Sequence, residues 1–462
     1  MTYQGEAQQN LRAPATSWVY RGTLRLGVAL APAFGLLSPR LRNTIAARRG
    51  AGERLLNWAR SSRDASRPLV WFHAASVGEG LQAEAVLSHF RRLMPACQTV
   101  YTHFSPSAKR LAGSIDVDAA DYLPYDLPES VDALLSAVRP DLLVFAKLDL
   151  WPELSTRAAA GGTDVVMVAA TVSPGSGRLR WPARAVLEPG YQAVAAAAAV
   201  SSEDGRRLGY LGVRPHRIKV LGDPRFDSVM EKVGMVSSAD PLLRLGDGAP
   251  TMVAGSTWPE DEILLLRAFA GLRRARPDAR LILVPHEPNE DHLLSIERRA
   301  ALAGLPGTVR LSRAQGPAPL LLVDRVGLLA ALYGAGSMAY VGGGFGSAGL
   351  HSVLEPAAWG VPVAFGYRWS NSRDAALLLE AGGGVALPRA GVTNAAAALE
   401  KQWDDWISDE ASRADQGHRA RKAVERGAGA SERSAEMLLE LISSRSLRTL
   451  PSGAQSSRQS VP

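Results

Sequence analysis

The first group of residues whose types and spacing could do chemistry lies in the stretch 339–366, AYVGGGFGSAGLHSVLEPAAWGVPVAFG. Gly342, Gly343, Gly344, Gly346 and Gly349 form a loop whose backbone can come close to a ligand. His351, Ser352 and Glu355 follow in the first turns of an expected helix over 351–359. The free N–H groups and positive dipole at a helix start suit a phosphate, and polar side chains beside them can hold phosphate and ribose. A tight strand-to-helix turn without a ligand also accounts for the glycines, which do not spell GxGxxG. The second candidate is Glu79, in the loop Ala74-Ala75-Ser76-Val77-Gly78-Glu79-Gly80. A carboxylate there can accept a proton from a hydroxyl nucleophile or simply stabilise its own helix dipole. Both readings stay open on the residues alone.

Metal chemistry finds little support. The eight histidines fall neither as HxxxH nor beside the single cysteine, so a metal site is not expected. One cysteine, Cys97, excludes an intrachain disulfide framework and points to a reducing compartment. It follows Pro95-Ala96 at the start of a strand and is expected to be packing.

The elements that must position these residues alternate. Apolar runs at 70–73, 99–102, 141–145, 164–169, 193–200 and 218–221 read as strands with helical spacing between them. A second series follows at 251–254, 279–284, 320–323, 339–341 and 361–365. Alternation of this kind predicts parallel sheets covered on both faces. The glycine loop and the Glu79 loop each leave the carboxyl end of a strand, where open parallel sheets bind ligands. The expected fold is α/β, of GT-B type, with two doubly wound Rossmann-like domains facing a central cleft. The boundaries read as an N-terminal helical segment 1–60, a domain 61–230, a domain 231–443 that includes a last amphipathic helix at 431–443, and a disordered tail 444–462. Residues 228–249 have the composition of a linker, and YLPYDLP at 122–128 that of a proline-bounded connection.

The chain's 462 residues are 46% apolar and 21% charged, a globular composition. The net charge of +7 permits an anionic substrate or an anionic membrane surface, and a solvated basic surface explains it equally. No run reaches the roughly 18 apolar residues of a spanning helix. The nearest, LGVALAPAFGLL at 26–37, contains Pro32 and is flanked by Arg21, Arg25, Arg40 and Arg42. A cleavable signal peptide is not expected. The run fits a helix in the membrane interface or an ordinary buried helix.

Eight motifs, in order, carry a family resemblance: WFHAASVGEG (71–80), YLPYDLP (122–128), LDLWPEL (148–154), SSEDGRRLGYLG (201–212), GDPRFD (222–227), VAGSTW (253–258), LILVPHEP (281–288) and GLHSVLEPAA (349–358). The chain resembles the 3-deoxy-D-manno-octulosonic acid (Kdo) transferases of lipopolysaccharide synthesis over about residues 50 to 375. The resemblance implies an inverting glycosyltransferase that moves Kdo from CMP-Kdo to a lipid A precursor at the cytoplasmic face of the inner membrane. No metal ion, cofactor or nucleic acid is implied. The N-terminal domain would hold the acceptor and the C-terminal domain the CMP. Glu79 falls at the family's proton acceptor. Arg225, in GDPRFD, stands where the family has a lysine and would stabilise the departing phosphate. Pro285 and His286 stand where the family has Pro-Arg for CMP. Val326, Gly327 and Leu328 fall at a further CMP contact, and Ser352, Val353, Leu354 and Glu355 at the family's Asn-x-Leu-Glu. Asn371 is a weaker candidate in the following loop.

Several polar positions depart from the pattern. The family's Glu-x-Glu-Leu-Trp-Pro reads Lys147-Leu148-Asp149-Leu150-Trp151-Pro152, so a glutamate implied in transition-state stabilisation has become a lysine. Asp149 takes over, or Lys147 pairs with an anionic substrate, or the activity is altered. The family's Asn-Ala-Arg reads Ala169-Ala170-Thr171, and Arg-His reads His286-Glu287. These changes mark a divergent member.

Overall fold

Side chains along the first sheet alternate between two apolar layers. Leu69 and Trp71 join Leu143 and Phe145 in one buried cluster. Val70 and Phe72 join Leu142, Val144 and Ala146 in another. Strands that are apolar on both faces need cover on both, which is the setting of parallel sheets. The computed structural model describes residues 16–246, 248–305 and 307–449. It divides into two units, one running to Arg225 and resuming at Gly429, the other Phe226–Ala428.

Unit 1 holds β1 (Leu69–His73), β2 (Gln98–His103), β3 (Ala119–Tyr122), β4 (Leu142–Ala146), β5 (Asp164–Ala170), β6 (Val194–Ala199) and β7 (Ile218–Val220). Their order is β3-β2-β1-β4-β5-β6-β7, all parallel. Unit 2 holds β8 (Thr251–Thr257), β9 (Arg280–Pro285), β10 (Thr308–Arg310), β11 (Leu320–Leu322), β12 (Met338–Val341), β13 (Val363–Phe365) and β14 (Gly384–Ala386). Their order is β10-β11-β9-β8-β12-β13-β14, again all parallel. The alternation recurs here: Met338 and Tyr340 face one core, Ala339 and Val341 the other. The two sheets are the expected doubly wound α/β pair. Strand order reverses at β1/β4 in unit 1 and at β8/β12 in unit 2, the places where such sheets open a crevice for ligands.

The N-terminal segment forms α1 (Trp18–Leu37), α2 (Pro39–Arg48) and α3 (Ala51–Ser62). Pro32 lies inside α1, so the apolar run at 26–37 is not broken there. This helix is not an ordinary buried one, because Trp18, Val19, Leu26 and Leu30 are all exposed. Its other side is tied down by polar groups. Tyr20 Oη donates to Asp126 Oδ2 at 2.8 Å, and Arg21 Nε to Glu153 Oε2 at 2.9 Å. Asp126 also accepts from the backbone N–H groups of Glu153 and Leu154 at the start of the helix Pro152–Ala160. Among the described residues no helix is long and apolar enough to cross a membrane.

Three expectations change. The last helix is Ala430–Thr449, longer than the expected 431–443. It packs on unit 1, where Ala435, Met437, Leu438 and Ile442 meet Val86, Leu87 and Phe90 of α4 (Val77–Leu93). Sequence order alone assigns it to the second domain; its apolar stripe finds its cover on the first. Residues 444–449 are therefore helical, not tail, and Arg445 pairs with Asp141 at 3.2 Å. The remainder of the expected tail lies outside the described residues. The expected linker 228–249 opens inside a helix, Pro224–Met235.

Candidate functional site

In unit 1 the loops leaving β1 and β4 carry the polar groups. Ser76 caps α4 by accepting from Glu79 N at 3.5 Å, and Glu79 Oε2 accepts in return from Ser76 N and Oγ, each at 3.1 Å. This is a capping box, which satisfies otherwise orphaned donors at the helix start. Glu79 thus lies in the first turn of α4, partly exposed beyond the end of β1, with one carboxylate oxygen occupied by its own helix.

Lys147 follows β4 in a left-handed conformation, φ +56°, with its N–H bonded to Val168 O at 2.9 Å. Its ammonium has no ion-pair partner among the described residues. Two residues on, Asp149 is the hub of a network that neither periodicity nor motif spacing reveals. His73 Nε2 and Trp151 Nε1 each lie 3.1 Å from Asp149 Oδ2, and Arg178 lies 3.6 Å from Oδ1. His73 is fully buried. Its Nδ1 meets Thr102 Oγ1 at 2.9 Å, and Thr102 Oγ1 accepts from Trp71 Nε1 at 2.9 Å. Burial pushes the Asp149 carboxyl up, but the hydrogen bond and charge of His73, with Trp151 and Arg178, outweigh it and hold the group below its ordinary range. A signal for His73 existed, since it is the polar end of an apolar strand in WFHAAS. Its partners arrive from β2 and the β4 loop, and Arg178 reaches Asp149 from the turn Gly177–Leu179; no local pattern connects them.

Arg225 begins the helix Pro224–Met235 and is held by Asp223, with Nε and Nη2 2.9 and 2.7 Å from Oδ2. Glu53 is exposed in the first turn of α3, as expected of a solvated helical face. Cys97 is buried, and burial pushes its thiol up to about 12, as expected of a packing residue.

In unit 2 the corresponding loops carry rings. Trp258, after β8, stacks on His286, after β9, with centroids 4.8 Å apart and planes 25° apart. Trp258 Nε1 donates to His351 Nε2 at 3.0 Å, and the two imidazoles lie 4.6 Å apart. Burial and the neighbouring His286 lower the His351 pKa, so this imidazole stays neutral near pH 7. Pro285 closes β9, and His286 N bonds Thr257 O at 3.0 Å.

The glycine loop behaves differently from its expectation. A Cβ on Gly342 would stand 2.3 Å from Ser256 O, and one on Gly343 2.0 Å from Gly349 O. These glycines allow the backbone to approach itself, and their N–H groups bond Gly255 O and Asp261 Oδ2. Asp261 also accepts from Tyr340 Oη and Trp258 N, tying loop, strand and helix together. The helix after the loop begins at Leu354 rather than at 351. The Val353 and Leu354 side chains lie in the core, leaving only their backbone to meet a ligand. Ser352 is exposed, and Glu355 pairs with Lys232 at 3.5 Å. Val326 is 71% exposed, and Gly327 takes φ +87° in the loop that includes Leu328. Asn371 is exposed.

Comparison with known proteins bears on what these two edges serve. Residues 47–228 match the family described as 3-deoxy-D-manno-octulosonic-acid transferase (kdotransferase). The 3-deoxy-D-manno-octulosonic acid transferase of Haemophilus influenzae is 26% identical over 383 residues, covering 80% of this chain and 86% of that one. That of Bordetella pertussis is 28% identical over 358 residues, covering 71% and 80%. Among solved structures, the UDP-GlcNAc 2-epimerase of Neisseria meningitidis bound to UDP-GlcNAc superposes with a TM-score of 0.56 at 12% identity, covering 82% of this chain and all of that one. A glycosyltransferase from Rickettsia africae gives 0.54 at 10%, covering 83% and 100%. These structures share the fold, two parallel α/β sheets of the GT-B type. The sequence matches run through the β1 and β4 loops and on into unit 2, and by them the chain is similar to the 3-deoxy-D-manno-octulosonic acid transferases.

Proposed function

We propose that the protein transfers Kdo from CMP-Kdo to a lipid A precursor, with inversion and release of CMP. The observation that carries this reading is the similarity to 3-deoxy-D-manno-octulosonic acid transferases combined with a carboxylate, Glu79, at the end of β1 beside the order reversal of its sheet. Unit 1 binds the acceptor, and Glu79 takes the proton of the attacking sugar hydroxyl as the bond to Kdo forms. Its free oxygen is the accepting atom, while the capping box fixes its rotamer. Kdo is an acid, and the Lys147 ammonium suits its carboxylate. Arg225 neutralises charge on the departing phosphate. In unit 2, Pro285, His286, Val326, Gly327, Leu328, Ser352 and Glu355, with the backbone of Val353 and Leu354, hold the CMP.

The acceptor is a lipid, and α1 supplies a means of reaching it. Trp18, Val19, Leu26 and Leu30 are exposed on a helix that carries Arg21 and Arg25 and no acidic residue. A helix of this composition lies in an anionic membrane interface, here the cytoplasmic face of the inner membrane.

Purified protein incubated with CMP-Kdo and a tetra-acylated lipid A precursor should release CMP and yield a Kdo-bearing lipid. Absence of CMP release would remove the proposal. The substitutions at Lys147 and His286 favour one second reading, a related GT-B transferase with another nucleotide sugar or acceptor. Nucleotide binding without CMP-Kdo turnover would support it or an inert binding protein, and turnover with a different nucleotide sugar separates these two.

A further inference from the structure

We infer that Asp149 supplies the carboxylate that faces positive charge on the transferred sugar in unit 1, and that buried His73 is its positioning residue. The inference rests on the proposed transfer reaction and assigns a role that residue 147, a cation here, cannot fill.

A proton on His73 Nε2 fits the atoms around it. His73 Nε2 lies 3.1 Å from Asp149 Oδ2. An unprotonated nitrogen there would set its lone pair against a carboxylate oxygen, so Nε2 carries a proton and donates it. Thr102 Oγ1 accepts from Trp71 Nε1, donates to Phe72 O at 3.4 Å and lies 2.9 Å from His73 Nδ1. Trp71, Thr102, His73 and Asp149 thus form a hydrogen-bonded chain in which each N–H or O–H finds an acceptor. Trp151 Nε1 lies 3.1 Å from the same Oδ2 and 3.2 Å from His73 Nε2; the carboxylate is the stronger acceptor and takes its proton. Two donors on one oxygen restrain the carboxylate, and Arg178 lies 3.6 Å from Oδ1.

Position agrees with this role. Asp149 follows β4 and His73 ends β1, the two strands between which the order of the sheet reverses. A fixed, ionised carboxylate at that edge stabilises a developing cation without reorganising when the charge appears. It forms no covalent bond and gains no proton. The titratable and charged groups that face it are His73, Arg178 and Tyr191, with Lys147 two residues before it.

The test uses the full chain, CMP-Kdo and the lipid acceptor. Asp149→Asn should lower kcat by about a hundredfold to a thousandfold with little change in KM, whereas Lys147→Met should mainly raise KM for CMP-Kdo. His73→Leu removes the donor, so the Asp149 pKa rises and the acid limb of the kcat/KM profile moves to higher pH. His73→Gln keeps an N–H of similar reach and should restore that limb. Retention of kcat within about threefold in Asp149→Asn, set against the usual cost of such a loss, would overturn the catalytic assignment. The positioning role has a readout independent of turnover: the carboxyl NMR titration of Asp149 should move up in His73→Leu but not in His73→Gln, and a titration that stays put overturns it. An inactive wild type instead sinks the transfer reaction itself, so the two failures are distinguishable.

Discussion

The order reversals of the two sheets occupy the same place in the same fold, yet they are furnished differently. At β1/β4 the side chains are a carboxylate in a capping box, a second carboxylate fixed by His73 and Trp151, and a lysine with no ion-pair partner among the described residues. At β8/β12 they are an indole and two imidazoles in mutual contact, behind a loop whose first glycines pack on their own backbone. The first edge is equipped to move a proton and meet charge. The second presents flat rings. One scaffold therefore repeats its backbone solution while the residues beyond each strand end decide the chemistry.

The sharpest way to break this contrast is Glu79→Gln. Glutamine at this position keeps a capping box, so Tm should hardly move, while loss of a general base should cut kcat by about a hundredfold to ten-thousandfold. An unchanged kcat would make Glu79 a helix cap and nothing more.

The next effect concerns stability in unit 1. Burial raises Asp126 from 3.8 to about 6, against the hydrogen bonds from Glu153 N, Tyr20 and Leu154 N that favour its ionised form. The folded pKa lies above the unfolded one, so this contribution is complete below pH 3.8 and is lost as pH rises through about 6. Asp126→Asn, which does not titrate, should therefore show a flatter stability curve over that window. The difference between the two proteins, followed by urea unfolding at a series of pH values, should change by about 3 kcal/mol.

Smaller still is the expected effect in unit 2. Trp258→Ala should weaken CMP binding, measured by calorimetry, by about tenfold to a hundredfold if a base stacks there. It should leave the Asp149 carboxyl titration untouched, and a shift in that titration would blur the division of labour drawn here. Smallest, Leu26→Glu on α1 should reduce sedimentation with anionic vesicles by several-fold without altering CMP binding.

The sequence made the strands legible where both faces are buried. Runs such as that around 142–146 and that around 281–284 declare themselves by unbroken apolar character. The three strands that sequence reading does not find, β3, β10 and β14, all lie at sheet edges and are partly exposed, so they lack that signature. Site residues divide in the same way. Glu79 and Asp149 sit in motifs, but the function of Asp149 depends on His73, Thr102 and Trp71, 76, 47 and 78 positions away by subtraction of the residue numbers. Only the pairing of β1 with β2 and β4 brings them into contact. The glycine loop shows the converse limit: its composition is visible, but whether the freed space admits a ligand or the chain's own carbonyls is settled by packing.

The helix Ala430–Thr449, which covers α4, bears on biosynthesis. Unit 1 is assembled from two stretches of chain separated by the whole of unit 2. While the ribosome is still making residues 226–428, the α4 face that Leu438 and Ile442 will cover stays open to solvent. The first sheet begun is thus the last to be sealed, and a protein cut short before residue 430 leaves an apolar surface bare for chaperones or aggregation to claim.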